Sequence, residues 1–279
     1  MTVTAVPTLP LLHGATIPRL GLGTASMTDD EAEAAVATAI QAGYRLFDTA
    51  ENYGTEIGVG RGMRVGGVER EDLFVTTKFN KGWHGADLVE KAWAASAERL
   101  GLEYIDLLLI HWPNPGQDRY VGAWQGLIKL LESGKVRAIG TSNFKPAHLE
   151  RIIAATGVAP DLNQIQLHPG VTRAAAREYH ARHGIATESW APLGGQWDDL
   201  LAEPVVTGLA ERYGRTPAQV VLRWHMEVGL VTVPKSSNPE RIAQNIDVFD
   251  FHLEPEDVAL LSGLDKGEEA AVDSDRFGH

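Results

Sequence analysis

Strand-like apolar runs alternate with helix-like segments along nearly the whole chain, and this alternation constrains the fold more than any other feature. Parallel strands covered on both faces are expected to be almost continuously apolar, as residues 105–110 are. The linkers are short, and no Pro- or Ser-rich boundary divides residues 1–279. We therefore predict one domain, a (β/α)8 TIM barrel, a fold that commonly has this length. The eight predicted strands are 19–23, 45–48, 73–78, 104–111, 136–141, 162–167, 186–189 and 230–234.

Some segments lie outside the eight strand–helix repeats. Residues 9–18 are predicted to form an N-terminal β-hairpin that turns at His13 and Gly14. Residues 203–213 and 255–264 have helical patterns without a strand of their own, and a polar tail follows the second. We therefore expect extra helices in the C-terminal part of the barrel.

A glycine-rich stretch at residues 21–26 imitates a dinucleotide-binding fingerprint, since it follows a strand and Asp48 ends the next strand. However, Ser26 replaces the third glycine of that fingerprint. A doubly wound sheet would also leave the ionisable residues at later strand ends unexplained. We favour the simpler interpretation that Gly21 and Gly23 allow a tight turn after the first strand.

The composition argues against several classes of protein. The net charge of −12 argues against a nucleic-acid or anionic-membrane surface, which needs a basic face. The chain has no cysteine, which rules out disulfides and thiolate metal sites. No apolar run approaches the ~20 residues that span a bilayer, and the first residues lack a secretory pattern. We expect a cytoplasmic protein, and the lack of a heptad stripe favours a monomer.

Three successive strands end in ionisable residues. Asp48 ends the second strand, and Tyr53 follows it closely. Lys78 ends the third strand and His111 ends the fourth. The carboxyl ends of barrel strands open onto one mouth, where active sites of this fold lie. We therefore expect these four side chains to converge.

The four side chains suit one kind of chemistry. A phenol has a reference pKa of about 10, and an ammonium such as that of Lys78 lowers this pKa. Asp48 would keep Lys78 charged and aimed at the phenol of Tyr53, which becomes a general acid. His111 can hydrogen-bond a substrate carbonyl oxygen. No nucleophile is evident, so the set suits protonation of an oxygen while a nicotinamide hydride reduces the carbon.

Each of these residues on its own is more often structural than catalytic. A lone Asp or Lys at a strand end is usually solvated or salt-bridged, and His111 could be a hydrogen-bonded core residue. Their joint occurrence at consecutive strand ends favours catalysis instead. No H-x-x-x-H pair is present, so we predict no metal site.

Three motifs, in order along the chain, resemble those of the aldo-keto reductase family. They are residues 43–50 with Tyr53 and Glu56, residues 140–144, and residues 233–236 with Arg241 and Asn245. Leu46 stands where the family usually has histidine, and Thr141 where it has an aliphatic residue. Residues 105–113 and 188–194 are most similar to bacterial members of the 2,5-diketo-D-gluconate reductase type. The resemblance covers almost the whole chain.

This resemblance implies a set of site residues. Asp48, Tyr53, Lys78 and His111 would form a catalytic tetrad in which Tyr53 is the proton donor. The nicotinamide and pyrophosphate of the cofactor would be held by Ser142, Asn143, Gln164, Trp190, Pro192, Leu193 and Gly194. The adenosine 2′-phosphate and adenine would be held by Lys235, Ser236, Arg241, Gln244 and Asn245. The expected cofactor is therefore NADPH, with NADH as a weaker alternative.

The third motif also has a physical reading, because it leads into a predicted helix that Ser237 or Asn238 can cap. Helix N-termini bind anions through free N–H groups. Lys235 and Arg241 add positive charge at this end, although Glu240 opposes it. The alternative is an ordinary capped helix with surface cations.

Residues just beyond the strand ends are predicted to contact a small-molecule carbonyl substrate. Trp83 and Trp112 would wall its pocket, Leu22 would line it, and the tail after Lys266 could cover it. We expect NADPH-dependent reduction of aldehydes and ketones. One alternative is a protein of the same fold that binds the cofactor for a regulatory role, as potassium-channel β subunits do. A metal-dependent barrel hydrolase is a further alternative.

Overall fold

The computed structural model describes residues 6–195 and 199–279, and ten strands lie within these ranges. Strands β1 (Thr8–Pro10) and β2 (Thr16–Pro18) form the N-terminal hairpin, which turns at residues 12–14 as predicted. The remaining strands form one parallel sheet: β3 (Leu22–Gly23), β4 (Leu46–Asp48), β5 (Phe74–Phe79), β6 (Ile105–Ile110), β7 (Val136–Ser142), β8 (Leu162–Gln166), β9 (Ala186–Trp190) and β10 (Val231–Thr232).

The parallel sheet curls into a closed barrel. Neighbouring strands pair in chain order from β3 to β10. The two edges meet where Gly21 N donates to Thr232 O at 2.9 Å and Gly23 N donates to Pro234 O at 3.1 Å. A Cβ on Gly23 would lie 2.8 Å from the backbone oxygen of Val233, so this seam needs a glycine. The predicted (β/α)8 barrel is confirmed, and Gly21 and Gly23 belong to its seam rather than to a dinucleotide fingerprint.

Ten helices of the described chain surround or extend the barrel. They are α1 (Asp29–Gln41), α2 (Glu56–Gly66), α3 (Val89–Leu100), α4 (Tyr120–Glu132), α5 (Pro146–Thr156), α6 (Ala174–Arg182), α7 (Pro204–Tyr213), α8 (Pro217–Glu227), α9 (Pro239–Ile246) and α10 (Pro255–Ser262). Local signals set their ends: Thr28 and Glu31 form a capping box at the start of α1, and proline begins α5 and α7 to α10. Helices α7 and α10 are the predicted extra helices. No helix in the described ranges is long and apolar enough to cross a membrane.

The N-terminal hairpin closes one end of the barrel. Leu11 and Ile17 pack against Leu107 and other inward-facing strand residues in one buried cluster. His13 N donates to Asp161 Oδ1 at 2.9 Å, just before β8 begins. A ligand therefore has access to the barrel interior from the other end, where the carboxyl ends of the strands lie.

Gly140 in β7 allows a close approach between neighbouring strands. An added Cβ would lie 2.4 Å from the backbone oxygen of Leu162 and 2.7 Å from a methyl carbon of Leu109. We expect Gly140→Ala to lower the free energy of unfolding by about 1–3 kcal/mol through overpacking. Chemical denaturation would measure this loss, with Gly116→Ala as the control because no atom lies within 4 Å of the Cβ added there. Equal stabilities of the two variants would contradict the expectation.

Candidate active site

A cavity of about 650 Å³ opens at the carboxyl ends of the barrel strands. Side chains from several strand ends and from the last residues of the chain line it. The predicted residues among them are Asp48, Tyr53, His111, Trp112, Ser142, Asn143, Gln164, Trp190, Pro192, Leu193 and Lys235. The structure thus brings together most of the residues that the sequence singled out.

Lys78 and Asp48 form a buried ion pair beneath this cavity. Asp48 ends β4, and Lys78 lies on the adjacent strand β5. Lys78 Nζ donates to Asp48 Oδ1 and Oδ2 at 2.8 and 2.9 Å, and to Thr49 O at 2.9 Å. The same nitrogen lies 3.4 Å from the hydroxyl oxygen of Tyr53. These contacts satisfy the ammonium and hold it beside the phenol.

The ionisation of Lys78 and Tyr53 follows from this burial. Burial alone lowers the pKa of Lys78, but Asp48 and other neighbours outweigh it, so its net pKa is raised and Lys78 stays charged. Burial raises the pKa of Tyr53, and the Lys78 ammonium opposes the rise without cancelling it. The expectation of a lowered phenol pKa is therefore wrong in its net direction. Tyr53 is protonated at neutral pH, and Lys78 reduces the cost of forming its phenolate.

His111 follows β6 and completes the group. Its backbone N donates to Phe79 O at 3.1 Å, and its ring centroid lies 5.8 Å from that of Tyr53 in an edge-to-face arrangement. Burial, followed by the charge of Lys78, lowers the pKa of His111 well below its ordinary value. Its Nδ1 is buried without a hydrogen-bond partner in the described structure. His111 is thus a neutral imidazole whose Nε2 can meet a ligand in the cavity.

The ends of β7, β8 and β9 form a polar wall of the cavity. Trp190 Nε1 donates to Asn143 Oδ1 at 2.8 Å, and Asn143 Nδ2 donates to His111 O at 3.1 Å. Ser142 Oγ donates to Gln164 O at 3.1 Å. Asn143 has a φ of 63°, a left-handed conformation that asparagine tolerates better than most residues. This wall offers both donors and acceptors in fixed positions, as recognition of an amide requires.

A second cavity of about 420 Å³ lies beside the first. Leu193 and Lys235 line both cavities, so the two are adjacent. Ser236, Arg241, Gln244 and Asn245 line the second one, as the resemblance implies. Asn238 caps α9, since its Oδ1 accepts from Arg241 N at 3.0 Å. Gly194 lines neither cavity, and its neighbour Gly195 lines the first.

The structure separates the three predicted substrate residues. Trp112 lines the first cavity. Leu22 is only 1% exposed and packs in the main hydrophobic core rather than lining the cavity. Trp83 donates from Nε1 to Glu51 Oε1 at 2.7 Å and does not line the cavity either. The expectation for Leu22 and Trp83 therefore does not match their positions.

Two residues of the tail and one of β9 lie at the site without having been predicted there from the sequence. Phe277 and His279 line the cavity, with ring centroids 4.9 Å from Trp112 and 4.8 Å from His111 respectively. The tail after Lys266 was expected to cover the substrate pocket, but nothing in its polar sequence indicated which side chains would reach the pocket. Glu188 was noticed only as part of a motif, although it is fully buried beside Gln164. Within residues 6–195 and 199–279, no three His, Asp or Glu side chains could together hold a metal ion.

Comparisons with known proteins agree with this geometry. The Aldo/keto reductase family matches residues 19–266. An aldo-keto reductase of Mycolicibacterium smegmatis is 46% identical over 97% of this chain and 98% of its own, and the methylglyoxal reductase DkgA of Yersinia pestis is 43% identical over 99% of both. A crystal structure of a Gox0644 variant in complex with NADPH has 41% identity and a TM-score of 0.93, and the match covers 99% of this chain and 100% of that one. The family match over residues 19–266 and the identity to these relatives show, in agreement with the barrel and the buried group of Asp48, Tyr53, Lys78 and His111, that the chain belongs to the aldo/keto reductase family.

Proposed function

We propose that this protein reversibly reduces aldehyde and ketone groups of small molecules to alcohols, with NADPH as the reductant. The observation that carries the proposal is the position of Tyr53 at the barrel mouth, with its Oη 3.4 Å from Lys78 Nζ and its ring centroid 5.8 Å from that of His111. The name of the Yersinia pestis relative supports a small carbonyl compound as substrate. The NADPH complex of the Gox0644 variant supports the choice of cofactor.

The two adjacent cavities fit an elongated dinucleotide. The first ends in the polar wall of Ser142, Asn143 and Gln164, which suits the carboxamide of a nicotinamide. The second is lined by Lys235 and Arg241, and the carboxylate whose pKa is lowered by hydrogen bonds and by the charge of Lys235 is that of the exposed Glu31. Cations at the capped N-terminus of α9 suit a phosphate group. We therefore assign the first cavity to the nicotinamide and the second to the 2′-phosphoadenosine.

The side chains of the tetrad then have distinct roles. When bound, NADPH supplies the hydride that reduces the carbonyl carbon. Tyr53 gives its hydroxyl proton to the carbonyl oxygen, which becomes the alcohol O–H. Lys78, held charged by Asp48, stabilises the phenolate that remains. His111 donates from Nε2 to the same oxygen and fixes its position before the proton moves.

A direct assay tests the proposal. Purified protein is mixed with NADPH and methylglyoxal or phenylglyoxal, and the loss of NADPH absorbance is compared with the alcohol formed. We expect one NADPH to be consumed for each alcohol. A change of NADPH fluorescence without turnover on a panel of carbonyl compounds would favour the regulatory binder instead. We also propose that the protein is a cytoplasmic monomer, which sedimentation analysis and cell fractionation would test.

Arg241 is expected to select NADPH over NADH. Loss of a charge-assisted contact to the 2′-phosphate weakens binding by about 10- to 100-fold, because hydrogen bonds to charged groups contribute roughly 1.5–3 kcal/mol. Arg241→Ala should therefore raise the Kd of NADPH by that factor and change the Kd of NADH less than about twofold. Fluorescence titration measures both constants. Arg182→Ala on α6, remote from both cavities, is the control, and equal losses for the two cofactors would place the 2′-phosphate elsewhere.

A further inference from the structure

Glu188 is a fully buried carboxyl group next to the tetrad, and the roles described above do not use it. It lies on β9 directly opposite Gln164 on β8. Its Oε2 accepts a hydrogen bond from Gln164 Nε2 at 2.7 Å, whereas its Oε1 is buried without a partner in the described structure. A carboxyl group in such a place is costly to keep, so its presence needs an explanation.

Gln164 links this carboxyl group to the tetrad. The same Nε2 that donates to Glu188 also donates to Asp48 Oδ2 at 2.8 Å. An amide nitrogen has two hydrogens, and these two contacts use both. The reversed amide would place its oxygen against the ionised Asp48 Oδ2, which is repulsive, whereas a Glu188 proton on Oε1 leaves Oε2 as the acceptor seen here. Between Asp48 and Glu188, Gln164 therefore has one favourable orientation, in which its carbonyl oxygen is left to accept from a ligand in the cavity.

We propose that Glu188 is a positioning residue that, as a neutral carboxylic acid, fixes the amide of Gln164 for the nicotinamide and keeps a second negative charge away from Tyr53. The inference rests on the proposed function for its effect on catalysis. The predicted effect of Glu188 on the pH dependence of the protein's stability does not depend on that function.

The charges around Glu188 support its neutral form. The titratable groups that face it are Asp48 at the end of β4, Lys78 on β5 and Tyr53 after β4. β8 contributes the neutral Gln164, and β10 pairs with Glu188 through Val231. Lys78 already donates to both oxygens of Asp48. Burial, and then the Asp48 carboxylate, raise the pKa of Glu188 to about 8.

Ionisation of Glu188 has two consequences. A negative charge here disfavours the phenolate of Tyr53, so proton donation becomes harder. The protein also loses stability as pH rises from the ordinary carboxyl range towards 8, because the folded form holds a proton that the unfolded form has released. Both effects vanish in Glu188→Gln, whose amide oxygen can still accept from Gln164.

The experiment compares the wild type with Glu188→Gln and Glu188→Met, and uses Glu56→Gln as the matched control. Glu56 is also buried, but its oxygens are paired with Thr77 and Arg99 outside the cavity. The first readout is the melting temperature from pH 5 to 9 without cofactor. The second is the Kd of NADPH at pH 6.5 by fluorescence, and the third is kcat for carbonyl reduction across the same pH range.

We expect Glu188→Gln to gain melting temperature relative to the wild type as pH rises, and its alkaline loss of kcat to move to higher pH. Glu56→Gln should not reproduce this gain with pH and should leave the kcat profile unchanged. Glu188→Met should weaken NADPH about 3- to 10-fold through the lost hydrogen bond, while Glu188→Gln stays within about twofold. Equal NADPH affinity of the Met and Gln variants would overturn the role in fixing Gln164.

If the melting temperatures of the wild type and Glu188→Gln differ by the same amount at every pH from 5 to 9, the proposal that the carboxyl group of Glu188 is neutral is overturned. If Glu188→Met does not fold, this comparison and the kcat profiles still decide the matter. If the wild type does not turn over carbonyl compounds at all, the proposed function fails. The melting curves, which need no cofactor, then still report on Glu188 itself.

Discussion

Tyr53→Phe is expected to remove the reductase activity while leaving the NADPH site intact. The substitution deletes only the hydroxyl group, which lies 3.4 Å from Lys78 Nζ and lines the cavity. General acid catalysis contributes about 10²- to 10⁴-fold to such reactions. The nearby ammonium of Lys78 has a raised pKa and does not line the cavity, so it does not replace the phenol as the acid. His111 does not replace the phenol as the acid. Its strongly lowered pKa leaves the imidazole neutral, and the N–H of a neutral imidazole is a weaker acid than a phenol. Steady-state kcat should therefore fall by that factor.

The accompanying measurement is the Kd of NADPH, which should stay within about twofold of the wild type. Tyr44→Phe is a matched control, because Tyr44 is also buried but its hydroxyl group donates to Ile242 O, away from the cavity. Tyr44→Phe should retain kcat. A Tyr53→Phe protein that turns over at the wild-type rate would eliminate Tyr53 as the proton donor.

Lys78→Met is expected to have the largest effect on stability. Lys78 is fully buried and donates to both oxygens of Asp48, so its loss leaves a buried carboxylate without its main partner. Breaking a buried ion pair in this way costs about 3–5 kcal/mol. Chemical denaturation should show this loss, and activity should fall with it because the phenolate of Tyr53 loses its neighbouring cation.

The double variant Lys78→Met/Asp48→Asn separates the two effects. With no charge left buried in the pair, we expect part of the lost stability to return. Activity should not return, since the cation is still missing. A double variant that is no more stable than Lys78→Met would show that the loss arises from packing rather than from the unpaired carboxylate.

The order of elements was largely predictable from the sequence. Every barrel strand overlaps its predicted run, because apolar periodicity and glycine or proline at element ends are local signals. The lengths of the two strands at the seam were not predictable in this way. β3 covers Leu22–Gly23 and β10 covers Val231–Thr232, both shorter than predicted. The closing contacts through Gly21, Gly23 and Pro234 are irregular, and they depend on how the whole sheet curls rather than on either segment.

Those features of the site that depend on distances between side chains or on burial were less predictable from the sequence. Convergence of the tetrad follows from the geometry of parallel strands, and the sequence sufficed for it. The net pKa of Tyr53 depends on the balance between burial and the Lys78 charge, which a sequence does not quantify. Leu22 stands between two glycines, so the sequence does not show which face of the strand its side chain occupies, and only the barrel shows that it packs in the core. Phe277 and His279 reach the cavity through a tail whose path has no periodic signal.

The anchoring of that tail has a consequence for how the protein can change over time. Lys145 at the start of α5 pairs with Asp273 and Asp275, and this clamp sets Phe277 against Trp112. Asp48 and Lys78 lie on barrel strands, and Tyr53 and His111 closely follow strands, whereas these walls belong to an exposed segment held by a few charges. Substitutions in the tail are therefore expected to change which molecules fit the cavity without moving Asp48, Tyr53 or Lys78.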